Sequence, residues 1–296
     1  YTIHCSNKAG HGLQTLIQSV GNSCNPAFIS YGLKLGNTTF YSYMKSFGLM
    51  DDTGIDLGGE AVGIFADPAS FTQLDLACYA FGQNFTVTPL ALIAAQAACV
   101  NGGYLHTPYL VERITDANGS ITYQHDSTPI RQVISEETSA TVRECLEYVV
   151  SSGTGKNGQV AGYRIGGKSG TAERTDRHLR GDGDYYKAMS FAAVLPIDDP
   201  EIEVFVLLDD PRWVKDYASQ VVAPVVGNII SEIAPYLGIA ADGEDRSQTV
   251  VTVPNLVGTE WSSAQVQLNI KGLRHQLAES TTSQAAAAVT YQYPHA

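Results

Sequence analysis

The sequence predicts an α+β fold, in which helices and antiparallel strands occupy separate stretches of the chain. Helical patterns fill most of residues 5–49, and a helix of small residues is predicted over Pro89–Val100. A helix that begins at Ser135 is followed by three β-type runs, and a last helix is predicted from about Lys215 to Leu237. Because short connections join the strands, we expect an antiparallel sheet flanked by helices.

Composition sets the size of the fold and excludes one class of partner. The chain has 296 residues, 44% of them hydrophobic, which suffices for one large domain or two smaller ones. A net charge of −12 gives no basic footprint for nucleic acid, so we expect no such partner. The longest apolar run, Leu90–Val100, is too short to span a membrane. The chain opens at Tyr1 rather than at methionine, and we expect it to be part of a longer protein.

The N-terminal region is predicted to hold three helices that meet at short turns marked by glycine. The first presents one apolar face and ends at Gly21 and Asn22. Its apolar face comprises Leu13, Leu16, Ile17 and Val20. The second runs from Pro26 to near Gly36, and the third runs from its cap, Asn37, to about Phe47. A glycine-rich loop then follows over Thr53–Gly63.

The β-type runs fall into two groups. Tyr109–Ile114 and Ile121–Tyr123 flank a turn sequence and predict a surface hairpin. After the Ser135 helix come three further runs, at Tyr163–Ile165 leading into Lys168, at Ser190–Leu195 and at Glu201–Leu208. The last two are joined by Pro196–Pro200, which is short enough for an antiparallel hairpin.

The C-terminal part of the chain changes composition. The last helix of the main domain is expected to be bent by Pro224 and to bury an apolar face. That face comprises Val221, Val222, Val225, Ile229, Ile230 and Ile233. We expect a main domain over residues 1–237, a polar linker over 238–249 and a small second module over 250–296.

The five cysteines show no C-x-x-C pair, and none stands at a zinc-like spacing from the histidines. We therefore expect neither a metal site nor a cofactor. One disulfide remains possible, and Cys5 with Cys24 is the candidate pair. The other three cysteines are expected to be buried thiols.

Two motifs compete at Lys168. The stretch Gly162–Ser169 fits the phosphate-loop pattern G-x-x-x-x-G-K-S, and Val204–Asp210 resembles an acidic magnesium-binding strand. A phosphate loop, however, needs a buried strand before it and a helix after it. The preceding residues, 151–162, are rich in glycine, and the following residues, 170–183, contain almost no apolar side chains. The residues on either side of the pattern therefore argue against a nucleoside triphosphatase.

The second motif, Lys168-Ser169-Gly170, belongs with S-x-N among serine acyl-transferases, and Ser23-Cys24-Asn25 supplies the S-x-N. A substrate that ends in a carboxylate needs a fixed cation and hydroxyl donors on a rigid strand, which Lys168, Ser169 and Thr171 can provide. The backbone N–H of Thr171 is a candidate donor to an oxyanion.

Over nearly its whole length the chain resembles class B penicillin-binding proteins. Besides the two motifs, the segments that carry the resemblance are Pro26-Ala27-Phe28, Thr53-Gly54-Ile55-Asp56-Leu57 with Glu60, Phe81-Gly82-Gln83, Thr88-Pro89-Leu90, Asn101-Gly102-Gly103, Gly153-Thr154-Gly155 and Thr171-Ala172-Glu173. Sporulation-type members are the most similar. The resemblance implies a penicillin-binding/β-lactamase-like transpeptidase fold without its N-terminal part. Residues 253–258 and the segment that follows resemble a PASTA domain, and we expect its final strand to be missing.

The resemblance implies peptidoglycan D,D-transpeptidation at the outer face of the bacterial membrane, in cell division or sporulation. Peptidoglycan stem peptides would be substrates, β-lactams would acylate the enzyme, and other cell-wall synthesis proteins could be partners. Ser23 would assist proton transfer, Asn25 would orient the substrate amide, and Lys168 with Ser169 and Thr171 would hold its carboxylate. A disulfide between Cys5 and Cys24 would reshape this edge and could switch activity.

The family's nucleophile lies in an S-x-x-K motif that precedes S-x-N. Here the one S-x-x-K, Ser42-Tyr43-Met44-Lys45, follows S-x-N within a predicted helix, so we interpret it as coincidence. The chain alone is therefore expected to be inactive. A non-catalytic sensor or wall-binding protein remains an alternative.

Overall fold

We describe a computed structural model of the chain over residues 3–174, 186–211, 217–242, 253–270 and 288–289. The chain divides into two compact units, Tyr1–Leu237 and Gly238–Ala296, which are described separately. No helix in the described residues is both long enough and apolar enough to cross a membrane.

The first helix is shorter than the sequence pattern predicts. Helix α1 spans Leu16–Gly21, and residues 5–15 contain no helix. Thr15 and Gln18 form a reciprocal capping box that sets its start. Upstream, Gly10 and Gly12 have φ of 75° and 63°, a conformation that a helix cannot contain. Leu13, assigned to the apolar face, is fully exposed, so that assignment is wrong.

The next two helices agree with prediction. Helix α2 spans Asn25–Leu35 and α3 spans Asn37–Ser46. Asn37 is the first residue of α3 rather than its cap, and its side-chain Nδ2 donates to the carbonyl of Phe71. A 3₁₀ turn at Pro68–Ser70 leads to helix α4, Gln73–Ala80.

The predicted loop over Thr53–Gly63 contains no helix or strand and is held by its carboxylates. Glu60 accepts from the amides of Thr53 and Gly54, and Asp56 accepts from those of Leu110 and Val111. These backbone bonds lower the pKa of Asp56. The acidic residues of this loop therefore have a structural use.

Helix α5 spans Pro89–Val100 as predicted, with Thr88 as its cap, and its small residues Ala91, Ala95 and Ala98 are buried. Short strands follow. Strand β1, Tyr104–Leu105, pairs with β4, Arg131–Gln132. Strands β2, Arg113–Thr115, and β3, Ile121–Gln124, form the predicted exposed hairpin.

Among the described residues, the main sheet has three antiparallel strands in the order β5-β6-β7. They are Gly166–Arg174, Tyr186–Leu195 and Ile202–Asp209. The predicted hairpin between the last two is confirmed. Helix α6, Glu136–Ser151, is capped by Ser135 as predicted and packs against the sheet.

Both faces of the sheet are covered. On one face Val194 packs with Val100 of α5 and with Val142 and Leu146 of α6. On the other, the ring of Phe191 lies against Gly158, which in turn lies beside α8. The sheet is thus the middle layer between helices, and β5 and β7 are its outer strands.

The last predicted helix of this unit is two helices, α7 at Ala218–Val221 and α8 at Ala223–Tyr236, which meet at Val222 next to Pro224. Residues 212–216, where it was expected to begin, lie outside the described residues. The predicted apolar face is partly wrong. Val225 and Ile229 are exposed, whereas Val226, Gly227 and Ala234 are buried.

The second unit has a small apolar cluster of its own. Helix α9 spans Trp261–Ile270. Ala264 and Leu268 of α9 pack with Leu256, and Trp261 and Val289 flank them. Residues 243–252, which include most of the predicted linker, lie outside the described part of the chain. The PASTA assignment of this unit stays a prediction.

Candidate active site

The structure brings together Ser23 and Lys168, which belong to two separate motifs. The Nζ atom of Lys168 donates to Ser23 Oγ at 2.9 Å and to its neighbour, the carbonyl of Ser169, at 2.7 Å. Lys168 lies on β5, an outer strand, and Ser23 lies in the turn between α1 and α2. A cation and a hydroxyl are therefore in direct contact at the edge of the sheet.

The turn that carries Ser23 is tightly specified. Ser23 has φ of 48°, an unfavourable conformation for a residue with a side chain. Its amide donates to Val20, and the amide of Cys24 donates to Ser19. Non-glycine residues in this conformation persist where the surrounding structure over-determines them, and they are frequent at active sites.

A contact between two glycines fixes this turn against helix α6. The amide of Thr154 donates to the carbonyl of Gly21 at 2.9 Å. A Cβ on Gly153 would lie 2.4 Å from the oxygen of Gly21, and a Cβ on Gly21 would lie 2.5 Å from the ring of Tyr148. The segment Gly153-Thr154-Gly155 thus supports the Ser23 turn.

Burial changes the proton affinity of Lys168. Desolvation lowers the pKa of its ammonium group from 10.5 to about 8. Near neutral pH a measurable fraction of Lys168 is therefore uncharged. Because its nitrogen touches Ser23 Oγ, the pair can exchange a proton as well as attract an anion.

The other predicted site residues are neighbours of Ser23 and Lys168 in the sequence, on α2 and on β5. Asn25 is the first residue of α2, two positions after Ser23. Side chains alternate along a strand, so Ser169 and Thr171 belong to the opposite face of β5 from Lys168. There Thr171 Oγ1 accepts from the amide of Ala218, which begins α7. Their binding of a substrate carboxylate stays a prediction.

Gly170 lies between these two side chains and faces β6. A Cβ at this position would lie 2.8 Å from Ser190 Oγ. A side chain would therefore disturb the strand beside Lys168, which accounts for glycine here.

The competing motifs do not form sites. The phosphate-loop pattern runs into β5, and Lys168 lies inside this antiparallel strand rather than at a helix N-terminus. In the S-x-x-K match, Ser42 is exposed within α3 and donates to the carbonyl of Thr39 at 2.9 Å, as an ordinary helix-surface serine does.

A second group of reactive side chains lies beside Ser23. Cys5, His11 and Cys24 place one sulfur or nitrogen atom each within 4.8 Å of one another. Cys5 Sγ and His11 Nδ1 are 3.4 Å apart, and both cysteines are free thiols. The Cys5–Cys24 disulfide therefore stays a prediction. The spacing of cysteines and histidines along the chain does not predict this cluster. Its three members come together only because the irregular segment 5–15 lies against the Ser23 turn.

A protein-family model matches most of the chain. The model of the penicillin binding protein transpeptidase domain matches residues 2–231. Among curated proteins, Stage V sporulation protein D of Bacillus subtilis (strain 168) is 40% identical over 90% of this chain and 43% of its own length. Peptidoglycan D,D-transpeptidase FtsI of Escherichia coli (strain K12) is 28% identical over 80% of this chain and 39% of its own length. The chain thus spans less than half of these relatives.

Solved structures agree. Penicillin binding protein 3 from Mycobacterium tuberculosis, complexed with aztreonam, has a TM-score of 0.72 and 25% identity. The similarity covers 81% of this chain and 55% of that one. The same protein complexed with ampicillin gives the same TM-score.

Proposed function

Because the chain belongs to the penicillin-binding protein transpeptidase family, we propose that it forms the C-terminal part of a peptidoglycan D,D-transpeptidase. The observation that carries this proposal is the hydrogen bond between Lys168 Nζ and Ser23 Oγ, which joins the K-S-G and S-x-N motifs. In the reaction, a serine attacks the D-Ala-D-Ala bond of a stem peptide and releases D-alanine. The amine of a second stem then accepts the acyl group.

Lys168 and Ser23 would move the proton in this reaction. With a pKa of about 8, Lys168 can polarise the Ser23 hydroxyl or exchange a proton with it. Ser23 would pass that proton to the departing amine. Asn25 would orient the substrate amide, and Ser169 and Thr171 would hold the terminal carboxylate together with the charged form of Lys168.

The attacking serine is proposed to lie outside this chain. The exposed Ser42, bonded back to its own helix, makes no described contact with Ser23 or Lys168. The 296-residue chain is then expected to bind β-lactams without forming an acyl-enzyme, whereas the longer protein acylates. Since peptidoglycan is assembled outside the membrane, the domain would act at the extracytoplasmic face.

Labelling with a fluorescent penicillin would test this function. The longer protein should be labelled, and Lys168→Ala and Ser23→Ala should each slow labelling strongly. The matched control is Lys156→Ala. Lys156 is exposed in the 3₁₀ turn Lys156–Gly158, and this variant should label like the unaltered protein. If neither the longer protein nor the chain is labelled, the domain is a non-catalytic wall-binding or sensor module. Labelling of the 296-residue chain would place the nucleophile within it.

A disulfide between Cys5 and Cys24 is proposed as a regulator of this site. Their sulfur atoms already lie within 4.8 Å, and Cys24 lies between Ser23 and Asn25. A bridge requires an S–S distance of about 2 Å, so it would pull residues 5–15 toward the turn. Mass spectrometry after oxidative refolding tests this, and two free thiols would overturn it.

A further inference from the structure

The cluster of Cys5, His11 and Cys24 combines two thiols and an imidazole at one point of the surface. Cys24 is 5% exposed, and Cys5 and His11 are half-buried. Two of the three lie in the irregular segment 5–15, and the third is the N-cap of α2. Residues far from zinc-like spacing in the sequence thus converge in the fold.

The distances come within about 1 Å of those of a tetrahedral zinc site. With Zn–S of about 2.3 Å and Zn–N of about 2.0 Å, tetrahedral geometry places two sulfurs about 3.8 Å apart and a sulfur and a nitrogen about 3.5 Å apart. Cys5 Sγ and His11 Nδ1 are 3.4 Å apart, and no pair of the three ligand atoms exceeds 4.8 Å. Closing each pair to these distances requires a shift of no more than about 1 Å, and two of the three ligands, Cys5 and His11, lie outside any helix or strand.

We infer that Cys5, His11 and Cys24 form a zinc site with a fourth position open to water or another ligand. Two thiolates and one imidazole suit zinc, whereas calcium and magnesium require oxygen ligands. On binding, both thiols release their protons to solvent and neutral His11 coordinates through Nδ1. No oxidation or reduction is involved.

Zinc at this position would connect residues 5–15, which have few packing contacts, to the turn that carries Ser23. Leu13 is fully exposed, and Gly10 and Gly12 lie in left-handed conformations, so residues 5–15 have little apolar packing of their own. Cys24 directly follows Ser23. A zinc–thiolate bond at Cys24 would therefore fix the backbone beside the Lys168–Ser23 contact, and it excludes a Cys5–Cys24 disulfide while the metal is bound.

The test is metal titration of the fully reduced 296-residue chain, with far-UV circular dichroism to confirm folding. We expect one Zn²⁺ per chain by calorimetry, and a Co²⁺ complex whose absorption shows thiolate charge transfer. His11→Ala should weaken zinc binding by about tenfold or more, and Cys5→Ser should weaken it further and diminish the charge-transfer band. His11 and Cys5 are suitable positions because neither is fully buried.

Two controls make the result decisive. His4→Ala removes an exposed histidine next to Cys5, and Cys78→Ser removes a thiol outside the cluster; both should retain wild-type affinity. Equal binding by wild type and His11→Ala would overturn the site. So would equal affinity in denaturing urea, because the metal would then be binding thiols without a folded site. These readouts do not depend on transpeptidase activity.

Discussion

Lys168 and Glu203 are two partly buried residues on the same face of the same sheet, and the ionisable group of each is desolvated, yet their surroundings differ. Lys168 pairs with Ala192 of β6, and Glu203 of β7 pairs with Val194, two residues further along β6. Residues two apart in a strand share a face, so both side chains lie on the α5–α6 face, at opposite outer strands.

Hydrogen bonds offset the desolvation cost at Lys168, whereas the Glu203 carboxylate lacks them among the described residues. Lys168 donates two hydrogen bonds, to Ser23 and to the carbonyl of Ser169. Within the described part of the chain, neither carboxylate oxygen of Glu203 has a hydrogen-bond partner, and nor does Gln96 Oε1. Desolvation shifts both pKa values to about 8, down for Lys168 and up for Glu203. A perturbed pKa therefore indicates a reactive site only where partners are also in place.

The largest expected effect separates these residues by function. In the longer protein, Lys168→Ala should slow acylation by a fluorescent penicillin by about a thousandfold, within the range for a group that transfers protons. Glu203→Gln should change the rate by less than about twofold, because the carboxyl contacts no part of the Ser23–Lys168 pair. Equal losses in both variants would show that the comparison is wrong.

The next effect is on stability through Glu203. Its pKa rises from 4.5 in the unfolded chain to about 8 in the fold, so the folded state loses stability as pH rises from about 4.5 to 8. The loss is on the order of 5 kcal/mol at most. Glu203→Gln should abolish this slope and be more stable than wild type at pH 8. Urea unfolding at pH 5 and pH 8 measures it, and a parallel slope in the variant would contradict it.

Lys168 should show the opposite slope at higher pH. Its pKa falls from 10.5 unfolded to about 8 folded, so the cost of burying its charge is fully present below pH 8. That cost disappears between pH 8 and 10.5, and stability should rise by on the order of 3 kcal/mol at most. Lys168→Met should lack this rise in urea unfolding at pH 7 and pH 10. Persistence of the rise in the variant would assign it to other groups.

The Lys168 and Ser23 motifs could be recognised in the sequence because each is a local pattern, and the fold brings the two into contact. Their roles in a reaction stay a prediction. The sequence could not indicate that His11 lies beside the two cysteines, because these side chains meet only through the irregular fold of residues 5–15. On α8, the face that contains Gly227 is buried because the backbone packs closely against Gly158, whereas Val225 on another face is exposed. Hydrophobic periodicity cannot detect close packing between two glycines.

The smallest expected effect tests what holds Ser23 opposite Lys168. Gly153→Ala would place a Cβ 2.4 Å from the oxygen of Gly21, so backbone must shift where α1 meets α6. Overpacking of this kind costs about 1–3 kcal/mol, and the shift should also slow acylation by moving Ser23. Gly58→Ala is the control, because nothing lies within 4 Å of its added Cβ. If Gly153→Ala lowers stability but leaves acylation unchanged, the Gly21–Gly153 contact supports the fold without positioning Ser23.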